Sequence, residues 1–81
     1  MANRLEGEHI ELKSAEVRKH IGKSIIYLRH CDIDKSGRGY YFPKYGKIEN
    51  AQGRNIFLEN GNVLSFSELA EVVINPDTNH N

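Results

Sequence analysis

The stretch Tyr45–Ile74, YGKIENAQGRNIFLENGNVLSFSELAEVVI, decides how the chain reads. Asn60-Gly61 is its sharpest signal, because both residues tolerate the positive φ that a two-residue type I′ hairpin turn requires. Ile56, Phe57 and Leu58 precede the turn, and Val63, Leu64 and Phe66 follow it. Alternation places Ile56 and Leu58 on one strand face with Leu64 and Phe66 as partners, and Phe57 and Val63 on the other. An earlier strand over Tyr45–Asn50 turns Ile48 inward and Lys47 and Glu49 outward, and Gln52-Gly53 supplies the turn that follows. Ser67 is expected to cap one helical turn, Ser67–Ala70, with Glu68 in its first turn. A last strand over Glu71–Ile74 ends at Asn75-Pro76, since proline donates nothing to a ladder and its predecessor avoids helix.

Upstream of this meander the chain is shorter on pattern. Ile10 and Leu12 alternate with Glu11, compatible with a short added strand or with a partly ordered polar arm over residues 1–13. SAEVRKHIG, from Ser14, reads as a short helix with Ser14 as N-cap, Val17 and Ile21 as an apolar stripe and Gly22 as terminator. Such a helix needs packing to persist and is expected to plug one open end of a barrel. Lys23 to about Cys31 is the first long strand. Its unbroken run Ile25-Ile26-Tyr27-Leu28 implies partial burial on both faces. Ile26 and Leu28 are read as the core parity, leaving Tyr27 and Arg29 outward. Asp32–Lys44 is a turn-rich connection with Lys35–Gly39 as its tip. Pro43 keeps that segment out of a central strand. Residues 14–75 thus form one domain, and the polar residues 76–81 read as a disordered tail.

Eighty-one residues with 38% apolar content make one small globular domain with a modest core. No run approaches the roughly 20 apolar residues of a transmembrane helix, and MANRLEGEHIELK lacks the apolar centre of a signal peptide. The single cysteine, Cys31, excludes an internal disulfide, and these features together favour a cytoplasmic protein. The zero net charge conceals an asymmetry. Residues 18–54 carry nine Lys or Arg against three acids, whereas residues 55–81 carry four acids and no Lys or Arg.

The order of elements is strand, long hairpin-like loop, three-stranded meander, one helical turn and short last strand. Over Lys23–Ile74 it resembles the small SH3-like barrel shared by SH3, Tudor, KOW and Sm-like modules. The resemblance rests on this spacing, on Gly46-x-Ile48, on Asn60-Gly61 and on the helical turn before the last strand. The chain lacks the acidic and tryptophan motifs of peptide-binding SH3 domains and the paired Sm signatures, and its KOW-like glycine pattern is partial. The resemblance implies a mainly β fold of about five strands with a short N-terminal helix. Its functional implication is a class alone, that of non-catalytic modules binding peptides or nucleic acids.

The candidate site is an aromatic-basic cluster: Arg38, Tyr40, Tyr41, Phe42, Lys44 and Tyr45, with Lys47 next along. Aromatic faces stack on bases or clasp proline rings, and neighbouring cations hold phosphates or acidic side chains. The same aromatics equally suit the bland role of covering a small core with their hydroxyls at the rim. Asp32-x-Asp34-x-Ser36-Gly37 looks like the start of a calcium loop, but the twelfth position is Pro43 rather than glutamate, so a turn built on Asx hydrogen bonds is the expected reading. Adjacent His30, Cys31 and Asp32 on a strand point to opposite faces, and no second cysteine sits at zinc spacing. Cys31 is therefore expected to be a small buried residue, without a nucleophilic partner. No cofactor, metal or enzymatic activity is expected. The expected function is a binding module for a protein or peptide partner, acting as a monomer or weak homodimer away from membranes. The alternative is RNA or DNA binding through the basic middle segment, against which the pI near 6.9 argues.

Overall fold

The computed structural model describes residues 4–34 and 38–76. Five antiparallel strands form one sheet in the order β4-β3-β2-β1-β5. They are β1 (Ser24–Arg29), β2 (Lys44–Gln52), β3 (Asn55–Leu58), β4 (Val63–Ser65) and β5 (Leu69–Ile74). One short helix, α1 (Ser14–Arg18), precedes them. The protein is mainly β, and its sheet is compatible with a small barrel-like fold. The longest strand, β2, pairs with β1 through its first half and with β3 through its second. A register shift between Ile48 and Asn50 separates the two halves. Such a bulge bends a strand and lets it serve both halves of a curved sheet.

The main core lies on one side of the sheet. Ile25, Tyr27, Ile48, Ile56, Leu58, Leu64, Leu69 and Val72 are buried there, with Val17 of α1 beneath them. Ile48, Ile56, Leu58 and Leu64 take the inward positions that alternation assigned, while Val63 stays exposed. Phe66 is half-buried against the same cluster. In β1 the parity is the reverse of the expected one. Ile25 and Tyr27 join the main core and Ile26 is half-buried on the other side. Both faces of β1 are covered, as the unbroken apolar run implied, so alternation could not decide which face was the larger core. Leu28 packs with Leu5 and Val73 in a second cluster on the outer face, joined by Ile26 and Ile33. The N-terminal residues supply that cover. The Ile10 amide donates to the Val72 carbonyl at 2.9 Å, the Ile74 amide to the Glu8 carbonyl at 2.9 Å, and His9 bridges Val73.

Several local expectations are corrected. The β3–β4 hairpin exists, but its connection spans Glu59–Asn62 and only Gly61, at φ +92°, is left-handed. Asn60 instead accepts the Asn62 amide on its side chain, an Asx turn rather than a type I′ turn. The β2–β3 turn is Gly53-Arg54, one residue later than expected, with Gly53 at φ +61°. The turn before β5 is a single 3₁₀ turn, Phe66–Glu68, capped by Ser65 rather than Ser67, and β5 begins at Leu69. Ser14 does not cap α1, whose N-cap is Lys13; its hydroxyl donates across to the Gly53 carbonyl. The helix ends at Arg18, so Ile21 falls outside it and is exposed, while Gly22 takes φ +89°. β1 stops at Arg29, and His30–Asp32 is a 3₁₀ turn in which Cys31 is exposed rather than buried. Most of the expected loop tip and tail, residues 35–37 and 77–81, lies outside the described residues.

Candidate functional site

The Asp32–Lys44 connection is ordered at its base by a short ladder. The Asp34 amide donates to the Tyr40 carbonyl at 2.8 Å, and the Phe42 amide to the Asp32 carbonyl at 2.9 Å. These bonds flank the bridge between Ile33 and Tyr41. Opposed residues in such a pair present their side chains to the same face. Ile33 packs on the Leu5–Leu28–Val73 cluster, so Tyr41 lies on the outer face of the sheet. Its hydroxyl donates to the Arg4 carbonyl at 3.0 Å, joining the loop to the N-terminal segment.

Tyr45 reaches the same face from β2. It stands opposite Ile26 of β1, itself packed on the outer cluster. Lys47, two residues on and opposite Ser24, continues that face. Tyr41 is 38% exposed and Tyr45 63%. The outer face therefore carries two exposed rings and one lysine around a buried apolar patch. The other candidates lie elsewhere. Lys44 pairs with Tyr27, an inward position, and its charge helps to hold the Asp32 carboxyl down. Tyr40 and Phe42 are exposed, on the parity opposite to Tyr41. Arg38 is exposed in the loop. The rings do not serve as core cover, which was the bland alternative, but the structure does not gather all seven predicted residues on one face.

At the root of the loop, Arg29 and Asp32 form a forked pair. Arg29 Nε donates to Asp32 Oδ2 at 3.0 Å and Nη2 to Oδ1 at 3.2 Å. The Arg29 amide also donates to Oδ2 at 3.2 Å. The Arg29 side-chain bond holds the Asp32 carboxyl below its ordinary range despite burial. Asp32 is thus committed to a structural pair, and the Asp32–Asp34 start of the supposed calcium loop is the first rung of a hairpin. Among the described residues no three His, Cys, Asp or Glu side chains converge as metal ligands would. Burial pushes the Tyr27 phenol up, keeping it neutral beside this pair.

Sequence reasoning missed Ile26, Ile33 and the N-terminal segment as parts of this face. The signal was present in the two-sided apolar run of β1, which demands a second cover, and in Leu5, an apolar residue available to supply it. No protein-family model matches the chain, and neither the curated proteins nor the solved structures yield a match. No helix among the described residues is long and apolar enough to cross a membrane.

Proposed function

We propose that the chain is a non-catalytic binding module of SH3-like shape. Its protein or peptide partner docks on the outer face at Tyr41, Tyr45 and Lys47. The strand order, the bent β2 and the 3₁₀ turn before β5 support the shape. The observation that carries the function is Tyr45. This ring stands 63% exposed on a central strand, on the same outer face as Tyr41 and opposite Ile26 of the apolar patch. Tyrosine gives large contact area at low entropy cost and dominates many interfaces for that reason. A β-scaffold holds both rings in place before the partner arrives, which lowers the ordering cost of docking. A single lysine beside the rings fits an acidic or polar neighbour better than a polyphosphate track.

The test is capture of partners by the full chain and by a Tyr41→Ala, Tyr45→Ala variant of verified fold, with and without nuclease. The expected result is a set of nuclease-insensitive partners lost from the variant. If the variant keeps every partner, the site lies elsewhere. If capture is abolished by nuclease and weakens steeply with salt, nucleic acid replaces protein as the partner class.

A further inference from the structure

A recess lies at the opposite end of β2 from Tyr45. The β2–β3 turn, the start of α1 and the 3₁₀ turn before β5 enclose a groove of about 460 Å³. That volume is within the roughly 300–1,000 Å³ usual for small-ligand clefts. Its walls are tied together. The Ser14 hydroxyl donates to the Gly53 carbonyl, and the Phe66 amide donates to the Arg54 carbonyl at 2.8 Å. Leu12 and Phe66 are anchored on the main core and leave apolar surface toward the groove. Arg54 and Lys13 stand at its rim. Lys13 Nζ lies 3.7 Å from Glu11 Oε2, whereas the exposed Arg54 guanidinium makes no ion pair among the described residues. Ser67 adds a hydroxyl beside it.

We infer that this groove is a binding site for a peptide segment in which a carboxylate sits next to an apolar side chain. The apolar group contacts Leu12 and Phe66, and the carboxylate pairs with Arg54. A guanidinium presents a planar fork that matches one carboxylate with two parallel hydrogen bonds. A nucleic-acid backbone would demand a row of cations, and here one free arginine stands beside a lysine shared with Glu11. The carboxylate is that of an Asp or Glu side chain within the segment, and a terminal carboxylate is the alternative that the probes separate from it. The site is separate from the Tyr41–Tyr45 face, so neither reading depends on the other.

The experiment is titration of the ¹⁵N-labelled full chain with four probes. N-acetyl-phenylalanine carries ring and terminal carboxylate, and its amide carries the ring alone. N-acetyl-aspartyl-phenylalanine amide carries a side-chain acid beside the ring, and acetate carries the acid alone. The expected result is saturable shifts at the Gly53, Arg54, Phe66 and Ser67 amides with at least one ring-plus-acid probe at millimolar concentration. That probe should bind about tenfold more tightly than the ring alone, as a charged hydrogen-bonded pair implies. Which of the two acids saturates identifies the source of the carboxylate. Arg54→Gln, a surface change that leaves the spectrum dispersed, should erase the advantage of the acid, and Tyr41→Ala should preserve it. Absence of saturable shifts with both acid-bearing probes overturns the inference. So does an amide that binds as well as the acids, or an advantage that survives Arg54→Gln.

Discussion

Leu58 fills the space that a side chain on Gly46 would need. A Cβ built at Gly46 would stand 2.8 Å from Leu58 Cδ1 and 3.3 Å from Cδ2. Leu58 is 1% exposed, so it has little room to retreat. Gly46→Ala is expected to cost about 1–3 kcal/mol by overpacking. Leu58→Ala should cost about 2–5 kcal/mol through lost burial and the cavity left behind. The double variant should cost less than the sum, because the methyl at 46 then enters space that Leu58 has vacated. Urea unfolding of the four proteins checks this. Glu59→Ala is the register control and should stay within about 0.5 kcal/mol, since Glu59 is exposed. Equal losses at 58 and 59 would contradict the register.

Glu71 fastens the N-terminal segment to the outer face. Its carboxylate accepts the Arg4 amide at 2.7 Å and the Leu5 amide at 2.9 Å, and His9 Nε2 lies 3.1 Å from Oε1. Burial alone would push this carboxyl up, but the bonds from Arg4, Leu5 and His9 together hold it below its ordinary value. The unfolded chain then takes up a proton before the folded chain does as pH falls. The stabilisation is complete above the unfolded value of about 4.3 and is lost as pH drops through the folded value. Glu71→Gln should cost about 1–3 kcal/mol at neutral pH by breaking these bonds. The gap between the two proteins, read from urea midpoints, should narrow below about pH 4. A gap that is unchanged down to pH 3, or that widens, would show that the carboxylate is not the fastening.

Cys31 lies exposed in the 3₁₀ turn after β1. A thiol in that position needs no unfolding to react, and buried thiols label only through opening. Ellman's reagent should therefore titrate one thiol in the native protein at a rate insensitive to subdenaturing urea. Labelling that tracks global unfolding would place Cys31 inside.

The fold was legible where burial is one-sided. In β3 and β4 one face meets the core and the other meets water, so alternation identified Ile56, Leu58 and Leu64 without ambiguity. β1 was not legible to the same degree, because a strand covered on both faces has no polar parity to read. The second cover comes from residues distant in sequence, and Leu5 in an otherwise polar stretch gave little sign of it. Turn chemistry failed in detail at Asn60-Gly61, where an Asx bond competes with the left-handed conformation that Asn also tolerates. The aromatic cluster was found from composition. Its division between two faces follows from the Ile33–Tyr41 bridge, a pairing that no local signal in the loop announces.

Tyr45 separates binding from folding more cleanly than any other residue of the candidate site. Tyr41 has a structural bond through its hydroxyl to Arg4, so its truncation loosens the N-terminal segment as well as removing a ring. Tyr41→Phe isolates the first effect. It should cost no more than about 1 kcal/mol, the usual worth of one exposed hydrogen bond, and leave partner affinity nearly intact. Tyr45 makes no side-chain hydrogen bond among the described residues and is mostly in solvent, so Tyr45→Ala should leave stability within about 0.5 kcal/mol. If a partner seats on the outer face, the same change should cost about 2 kcal/mol of binding, roughly thirtyfold in affinity. Lys47→Ala, at the edge of the patch, should mainly slow association and reduce its salt dependence. Calorimetric or surface-based titration of a captured partner against these variants measures the split. A Tyr45→Ala protein that folds normally and binds with undiminished affinity would remove the outer face from consideration.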